Sequence, residues 1–518
     1  MTTVVTTSHG RVRGTVVDGV HVFKGIPYGA STAGKGRFMR PAPAPEWTGD
    51  RDATTFGPAS PQAPTALRPD AAPVLAALFD APVDHPQSED ALTVNVWTGG
   101  LEGPANRPVI VHIHAGAFQF GWASWPMYDG TNLAREGDAV VVTLTYRLGV
   151  MGFLHLEEFG GQEYADSGNV GMLDIIAALS WVRENISAFG GDADNVTVIG
   201  DSAGGGAVIT LMAMPEARGL FHRAFTISAG GSQGVPADQA SDVTAAVLAE
   251  LGIRPGDDLA PLREISASKL IRAQLAAGAR LGTFTFGGSF RFGPVIDELH
   301  LMDSPLQIAM RGGAADIPLL VGSSKDEMTL LASDSAAGLS EDEVRDILGL
   351  MVGGHREAVL DTYRRGRPGA TPGEIMLAVW SDSTRVNTLR VADGHVTHGT
   401  QPVFCYLFCW ESPVEGGKYG ATHILDSPFW FDNVDAAPIT SDSPDRYVLA
   451  RTMRDALLAF ARTGRPGHHG LPDWPAYRLE DRPTLVIDQD FRIEKDPFGD
   501  ERDVMTPVSA RKLSGRGL

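Results

Sequence analysis

Ser202 lies in Gly200-Asp201-Ser202-Ala203-Gly204, between the β-branched run Asn195–Ile199 and an apolar run of helical composition that continues through Met212. A serine can serve as a nucleophile when it is held on a sharp strand-to-helix turn, and this spacing supplies one. Glycine is needed at 200 and 204 because side chains there would collide with the strand and the helix. The turn also aims the backbone N–H of Ala203, at a helix N-terminus, toward a developing oxyanion. The plain alternative is a glycine-rich loop carrying an incidental serine, and the flanking strand and helix count against it.

A serine nucleophile needs a base and an acid that orients it, and around this kind of turn the chain order is nucleophile, acid, histidine. Asp326 and Glu327 follow the apolar run Ile317–Val321, and either could be the acid or an exposed loop carboxylate. His112 and His114 alternate on one face of a strand, a spacing that could chelate a metal. No third or fourth ligand with suitable spacing accompanies them, so neither metal nor cofactor is expected.

The elements that would position these residues follow from the apolar runs. Val109–Ile113, Ala139–Thr145, Asn195–Ile199, Phe225–Ile227 and Ile317–Val321 are short, β-branched and near-continuous, as strands buried on both faces of a parallel sheet are. Gly171–Val182 has helical composition and length, which completes a βαβ pattern and an α/β fold. The stretches at about 236–281 and 339–387 are more polar and helical, as insertions over the sheet would be. Pro41–Pro45 and Pro58–Pro73 are loops.

The chain has 518 residues, 43% hydrophobic and 20% charged, enough for a large core without staples. Its formal charge of −20 opposes binding to phosphate backbones, so nucleic acid is not an expected partner. Cys405 and Cys409 sit four residues apart in a strand-like run, a separation of roughly 13 Å that rules out a disulfide between them. No leader-like segment or membrane-spanning run is evident, and a cytoplasmic location without membrane partners is expected.

Several blocks in order then show a family likeness. Val196–Gly205 resembles the active-site signature of the type-B carboxylesterases, which include cholinesterases and bacterial p-nitrobenzyl esterases. Phe23–Tyr28 with Arg37-Phe38, Ser88–Trp97, Tyr146–Gly149, Trp181–Asn185, Ala188–Gly191 and Trp474–Tyr477 are similar to further family blocks. Ala91 stands where secreted members carry a disulfide cysteine, in keeping with a cytoplasmic protein.

The resemblance implies one α/β-hydrolase domain over 1–518, a large mostly parallel sheet with helices on both faces and helical insertions over the active site. It places the acid at Glu327, leaving Asp326 a structural role, and the base at His423 in Gly420-Ala-Thr-His423-Ile424. Many relatives have Gly where Ile424 stands, which would narrow the pocket. A neutral His423 is required to take the serine proton, so activity is expected to rise across roughly pH 6–8. His114-Ala115-Gly116-Ala117-Phe118 occupies the place of the family's His-Gly-Gly-Gly-Phe loop, so the N–H groups of Gly116, Ala117 and Ala203 would form the oxyanion hole. Phe118 and Phe290 are the implied pocket residues, the latter for acyl groups because it precedes Pro294–Asp297.

The implied activity is hydrolysis of small uncharged carboxylic esters through an acyl-enzyme on Ser202. Hydrolysis of carbamates, aryl amides or short polyester fragments would use the same residues. A non-catalytic binding protein is the reading from another class, and the intact Ser202, Glu327, His423 and Gly116 weigh against it. Neither the natural ester nor the oligomeric state is encoded legibly.

Overall fold

The computed structural model describes residues 1–64, 77–78, 85–230, 232, 234–281 and 292–513. Its strands are β1 (Thr2–Thr7), β2 (Gly10–Val17), β3 (Val20–Pro27), β4 (Asp50–Asp52) and β5 (Thr93–Thr98). Then come β6 (Arg107–Ile113), β7 (Val140–Leu144), β8 (Gly191–Asp201), β9 (Arg223–Ile227) and the short pair β10 (Val235–Pro236) and β11 (Val295–Ile296). The last are β12 (Leu319–Ser324), β13 (Val403–Phe408), β14 (Pro483–Ile487) and β15 (Phe491–Lys495). Among the described residues one sheet runs β1-β2-β3-β5-β7-β6-β8-β9-β12-β13-β14-β15, with β4 paired to β2. From β7 across to β14 every pairing is parallel, while β1, β2, β3, β5 and β15 join antiparallel.

Burial explains the near-continuous apolar strands. In β6, Val109, Val111 and Ile113 point into a core shared with helices α2 (Val170–Asn185) and α3 (Ala203–Ala213). The residue between them, Ile110, joins the opposite core with α1 (Thr131–Gly137) and a long C-terminal helix, Arg446–Thr463. Helices therefore cover both faces of the middle of the sheet, which is why its strands are so largely apolar.

The family blocks meet one another in space. Arg37 Nη2 donates to Glu89 at 2.5 Å, and Arg147 makes a two-pronged pair with Asp174 at 2.7 Å on both prongs. Both pairs are bidentate and the Arg147–Asp174 pair is fully buried, the geometry in which removing one partner strands a charge.

The two expected helical stretches are present. The first holds α4 (Ala237–Glu250) and α5 (Ala267–Leu281). The second holds α6 (Glu341–Val352), α7 (Arg356–Gly366) and α8 (Pro372–His398). Capping boxes start α6 and α8, Ser340 with Glu343 and Thr371 with Glu374, and Pro372 follows at the first helical position.

Helix α8 runs past the expected end at 387. Its first half packs Ile375, Met376 and Val379 against α6 and α7, and its second half packs Val391 and Ala392 under the sheet. It is one element shared by cap and core. β12 also begins at Leu319 rather than Ile317, because Pro318 has no N–H to pair; the first ladder donor is Leu319, to Pro402 O. Cys405 and Cys409 are both free and buried. Of the loop expected at 58–73, residues 65–73 lie outside the described residues.

Candidate active site

The polypeptide leaves β6 toward β7 on one side and leaves β8 toward β9 on the other. Loops after these neighbouring strands diverge, and the crevice they leave at the carboxyl ends is where open α/β sheets bind ligands. Ser202 follows β8, residues 114–118 follow β6, Glu327 follows β12, and His423 lies in the loop beyond β13.

Ser202 has φ 53° and ψ −119° and caps α3. Its N–H is held by Ile227 O at 2.9 Å, and its carbonyl accepts from Gly206 N at 2.9 Å. A Cβ on Gly200 would lie 2.3 Å from Gly204 C, and one on Gly204 would lie 2.0 Å from Ile113 O. The first glycine makes room for the helix and the second for the end of β6.

His423 Nε2 lies 2.8 Å from Ser202 Oγ, and its Nδ1 is hydrogen-bonded to Glu327 Oε2. Glu327 is fully buried, and its other oxygen accepts from Ser324 N at 2.9 Å. A carboxylate fixed this way presents one oxygen to the ring and favours the tautomer with Nε2 free to accept the serine proton. Burial pulls the His423 pKa down, but Glu327, with Asp201 and Asp426 beyond it, overrides that and holds it above the ordinary histidine value.

Asp326 points elsewhere. Its Oδ2 accepts from Ala421 N at 3.0 Å and lies 3.4 Å from Lys325 Nζ, and its own N–H donates to Ala421 O at 2.8 Å. It fastens the acid turn to the histidine loop. Of the two neighbouring carboxylates, Glu327 faces the His423 ring and Asp326 faces the backbone of the histidine loop.

Gly116 has φ +125°, and a Cβ there would lie 1.8 Å from Phe120 O, so this position accepts only glycine. Ala117 and Phe118 also have positive φ, 54° and 57°. The N–H groups of Gly116 and Ala117 have no protein acceptor among the described residues, and that of Ala203 begins α3. Three unspent donors thus border Ser202, the chemistry an oxyanion requires. His114 is buried with its pKa lowered to about 4 by burial, and its Nδ1 bonds Ala115 O at 2.7 Å. His112 bonds Asp201 instead, at 2.9 Å. The two rings hold the loop and the turn.

These residues open onto a cleft of about 290 Å³, lined near Ser202 by Phe118, Phe120, Phe292, Leu330 and Trp380. Its walls are apolar groups, glycines and hydroxyls, and apart from His423 no ionisable side chain lines it among the described residues. Such a cleft suits an uncharged small molecule. Phe118 lines it as expected, whereas Phe290 lies outside the described residues, with Phe284 and Phe286.

Two features escaped sequence reasoning. Helix α8 supplies Trp380, Ser383 and Thr384 to the wall from the middle of an inserted segment. Asp201, an unspecified position of the serine motif, is fully buried and accepts from His112, Tyr128 and Ser427. Its position beside Ser202 was the only available signal.

Comparison with known proteins agrees with this arrangement. Residues 1–504 match the model of the carboxylesterase family. A para-nitrobenzyl esterase of Bacillus subtilis is 38% identical over 514 residues, covering 97% of this chain and 98% of that protein. Phenmedipham hydrolase of Pseudarthrobacter oxydans is 34% identical over 502 residues, with 95% and 96% covered. The crystal structure of a Geobacillus stearothermophilus carboxylesterase superposes with a TM-score of 0.85 at 40% identity, covering 97% of this chain and 99% of that one. With the sheet, the crevice and these relatives in agreement, the chain belongs to the carboxylesterase family and is a serine carboxylic-ester hydrolase of the α/β-hydrolase fold.

Proposed function

We propose that hydrolysis runs through an acyl-enzyme on Ser202, with His423 as base and acid and Glu327 as the orienting carboxylate. The observation that carries this is the unbroken hydrogen-bonded line from Glu327 through His423 to Ser202 Oγ. Ser202 Oγ attacks the ester carbonyl while its proton passes to Nε2. The carbonyl oxygen, now negative, is met by the N–H groups of Gly116, Ala117 and Ala203. Nε2 then returns the proton to the alcohol oxygen, which leaves. Water repeats the sequence on the acyl-serine and releases the acid.

An organophosphate should label Ser202 stoichiometrically, and Ser202→Ala should abolish hydrolysis of p-nitrophenyl acetate without loss of fold. Label on another residue, or an active alanine variant, would overturn the assignment. Glu327→Gln should cut kcat by about 10³–10⁴, since tautomer control and imidazolium stabilisation go together. Asp326→Asn should act mainly on stability, because its carboxylate bonds the histidine loop and not the ring. Thermal melts beside kcat values separate the two.

The uncharged cleft favours neutral esters with apolar groups on either side of the carbonyl. Carbamate hydrolysis is the second reading, supported by the phenmedipham hydrolase likeness. A panel of p-nitrophenyl esters, carbamates and aryl amides ranks the two by kcat/KM. We read the chain as one hydrolase unit acting on small molecules in the cytoplasm. The sheet spanning Thr2 to Lys495 supports the first part, and the two free cysteines support the last.

A further inference from the structure

The loop after β6 holds a backbone shape that its own side chains resist. Ala117 and Phe118 have consecutive positive φ, 54° and 57°, and neither is glycine. Left-handed backbone at such residues costs free energy and persists only where the surroundings enforce it. Here the enforcement comes from three sides. Within the loop, Gly116 O accepts from Gln119 N at 2.9 Å and from Phe120 N at 3.0 Å. At the far end, the buried carboxamide of Gln62 accepts from Gly121 N at 2.9 Å and donates to Gly121 O at 3.0 Å. From beyond β7, Gly149 N donates to Phe118 O at 2.7 Å.

The third side depends on a residue much farther along the chain. Gln274 belongs to the buried face of α5, with Leu270, Ile271, Ala273 and Ala277, and it is the one side chain on that face able to hydrogen-bond. It is only 5% exposed. Its Oε1 accepts from Val150 N at 2.7 Å, and its Nε2 donates to Gln119 Oε1 at 3.2 Å. Since the Val150 N–H can only donate, the amide must turn its NH2 toward Gln119. Gly149 answers to the same contact: its φ is +48°, and a Cβ there would lie 2.4 Å from Gln274 Oε1. A carboxamide on an apolar helix face costs desolvation unless it is bonded. Both ends of this one are bonded, one beside the donor to Phe118 O and the other to Gln119.

We propose that Gln274 is a positioning residue for the oxyanion donors: from the inserted helix α5 it braces the turn at 116–119 against residues 149–150, and so aims the N–H groups of Gly116 and Ala117. The proposal rests on the reading of those N–H groups as oxyanion donors. Neither Gln274 nor Gln119 lines the cleft, and no residue of α5 does. The brace therefore reaches the reaction through the loop and not through the substrate.

Donors aimed at a developing oxyanion act on the transition state more than on the bound ester. Gln274→Met keeps the length of the side chain and loses both bonds. Its kcat for p-nitrophenyl acetate should fall about tenfold while KM stays within about twofold. A trifluoromethyl ketone supplies a readout that lost stability alone would not move. Ser202 Oγ adds to its carbonyl carbon, the hydroxyl proton passes to His423, and the carbonyl oxygen becomes an oxyanion. Its Ki should rise by about the factor by which kcat falls. The alcohol of the same skeleton forms no adduct and should bind as it does to the wild type. A folded Gln274→Met with an unmoved ketone Ki overturns the proposal.

Gln119→Leu decides the matter if Gln274→Met fails to fold. Gln119 is half-buried, so the change spares the core and removes the bond between the brace and the loop. Its kcat should fall several-fold at unchanged KM, with the ketone Ki rising in step. Wild-type values in Gln119→Leu would sink the brace. If the wild-type enzyme binds the trifluoromethyl ketone no more tightly than the alcohol, the oxyanion reading is at fault rather than Gln274.

Discussion

The turn at Ser202 and the loop after β6, the proposed nucleophile turn and oxyanion loop, are both glycine motifs, yet their glycines answer to different constraints. In the turn, added Cβ atoms at Gly200 and Gly204 would meet backbone at 2.3 and 2.0 Å, so both positions are dictated by the fold. In the loop only Gly116 is dictated, by its 1.8 Å approach to Phe120 O and by φ +125°. On either side of it the chain carries Ala115 and Ala117 where the family commonly has glycine. A glycine that the backbone requires cannot be exchanged, whereas one that merely leaves space for substrate can be, and the exchange then alters specificity.

The strongest way to break this comparison is to place a methyl at a dictated position. Gly204→Ala forces β6 and α3 apart where two core layers meet. It should cost more than about 3 kcal/mol of stability and remove measurable esterase activity. Gly116→Ala disturbs a loop rather than a layer, so the melt should change little while kcat falls by about 10²–10³ through a displaced oxyanion donor. Parallel melting curves and kcat values test the pair. Equal destabilisation by the two variants would show that the turn and the loop share one constraint.

The same contrast explains what could be read from the sequence. Strands β6, β7 and β8 were legible because burial on both faces leaves near-continuous apolar runs, and the turn was legible because steric exclusion writes glycine at fixed spacing. Helix α8 was half legible. It is buried against α6 and α7 at one end and under the sheet at the other, so its apolar residues keep no single stripe and its end at His398 left no periodic signal. Asp201 was invisible as a hub for a different reason. Its partners His112 and Ser427 are 89 and 226 residues away along the chain, and only the fold brings them to one carboxylate. Glu327 and His423 were found through family likeness. Residue spacing alone left Asp326 and Glu327 equal, and the likeness, not the spacing, singled out Glu327.

Ala117 carries the smallest expected effect and the sharpest one. Ala115 is 3% exposed, packs in the core with Trp122 and Trp125, and borders the cleft from there. Ala117 lines the same cleft but is half-buried, with φ 54°, so of the two its methyl is the more accessible to a substrate. A primary alcohol leaves that space free, while a tertiary alcohol places a branch in it. Strain of even ~3 kcal/mol in the transition state slows the branched ester more than a hundredfold. The wild-type enzyme should therefore cleave n-butyl acetate well and tert-butyl acetate poorly, and Ala117→Gly should narrow that ratio. The variant should melt within a few degrees of the wild type. Glycine relieves the left-handed backbone at 117 but regains freedom in the unfolded chain, two effects of about 1 kcal/mol each and opposite sign. Similar rates on the two esters in the wild-type enzyme would refute the crowding by Ala117. The oxyanion donors would be untouched by that result, because they are N–H groups that alanine and glycine both possess.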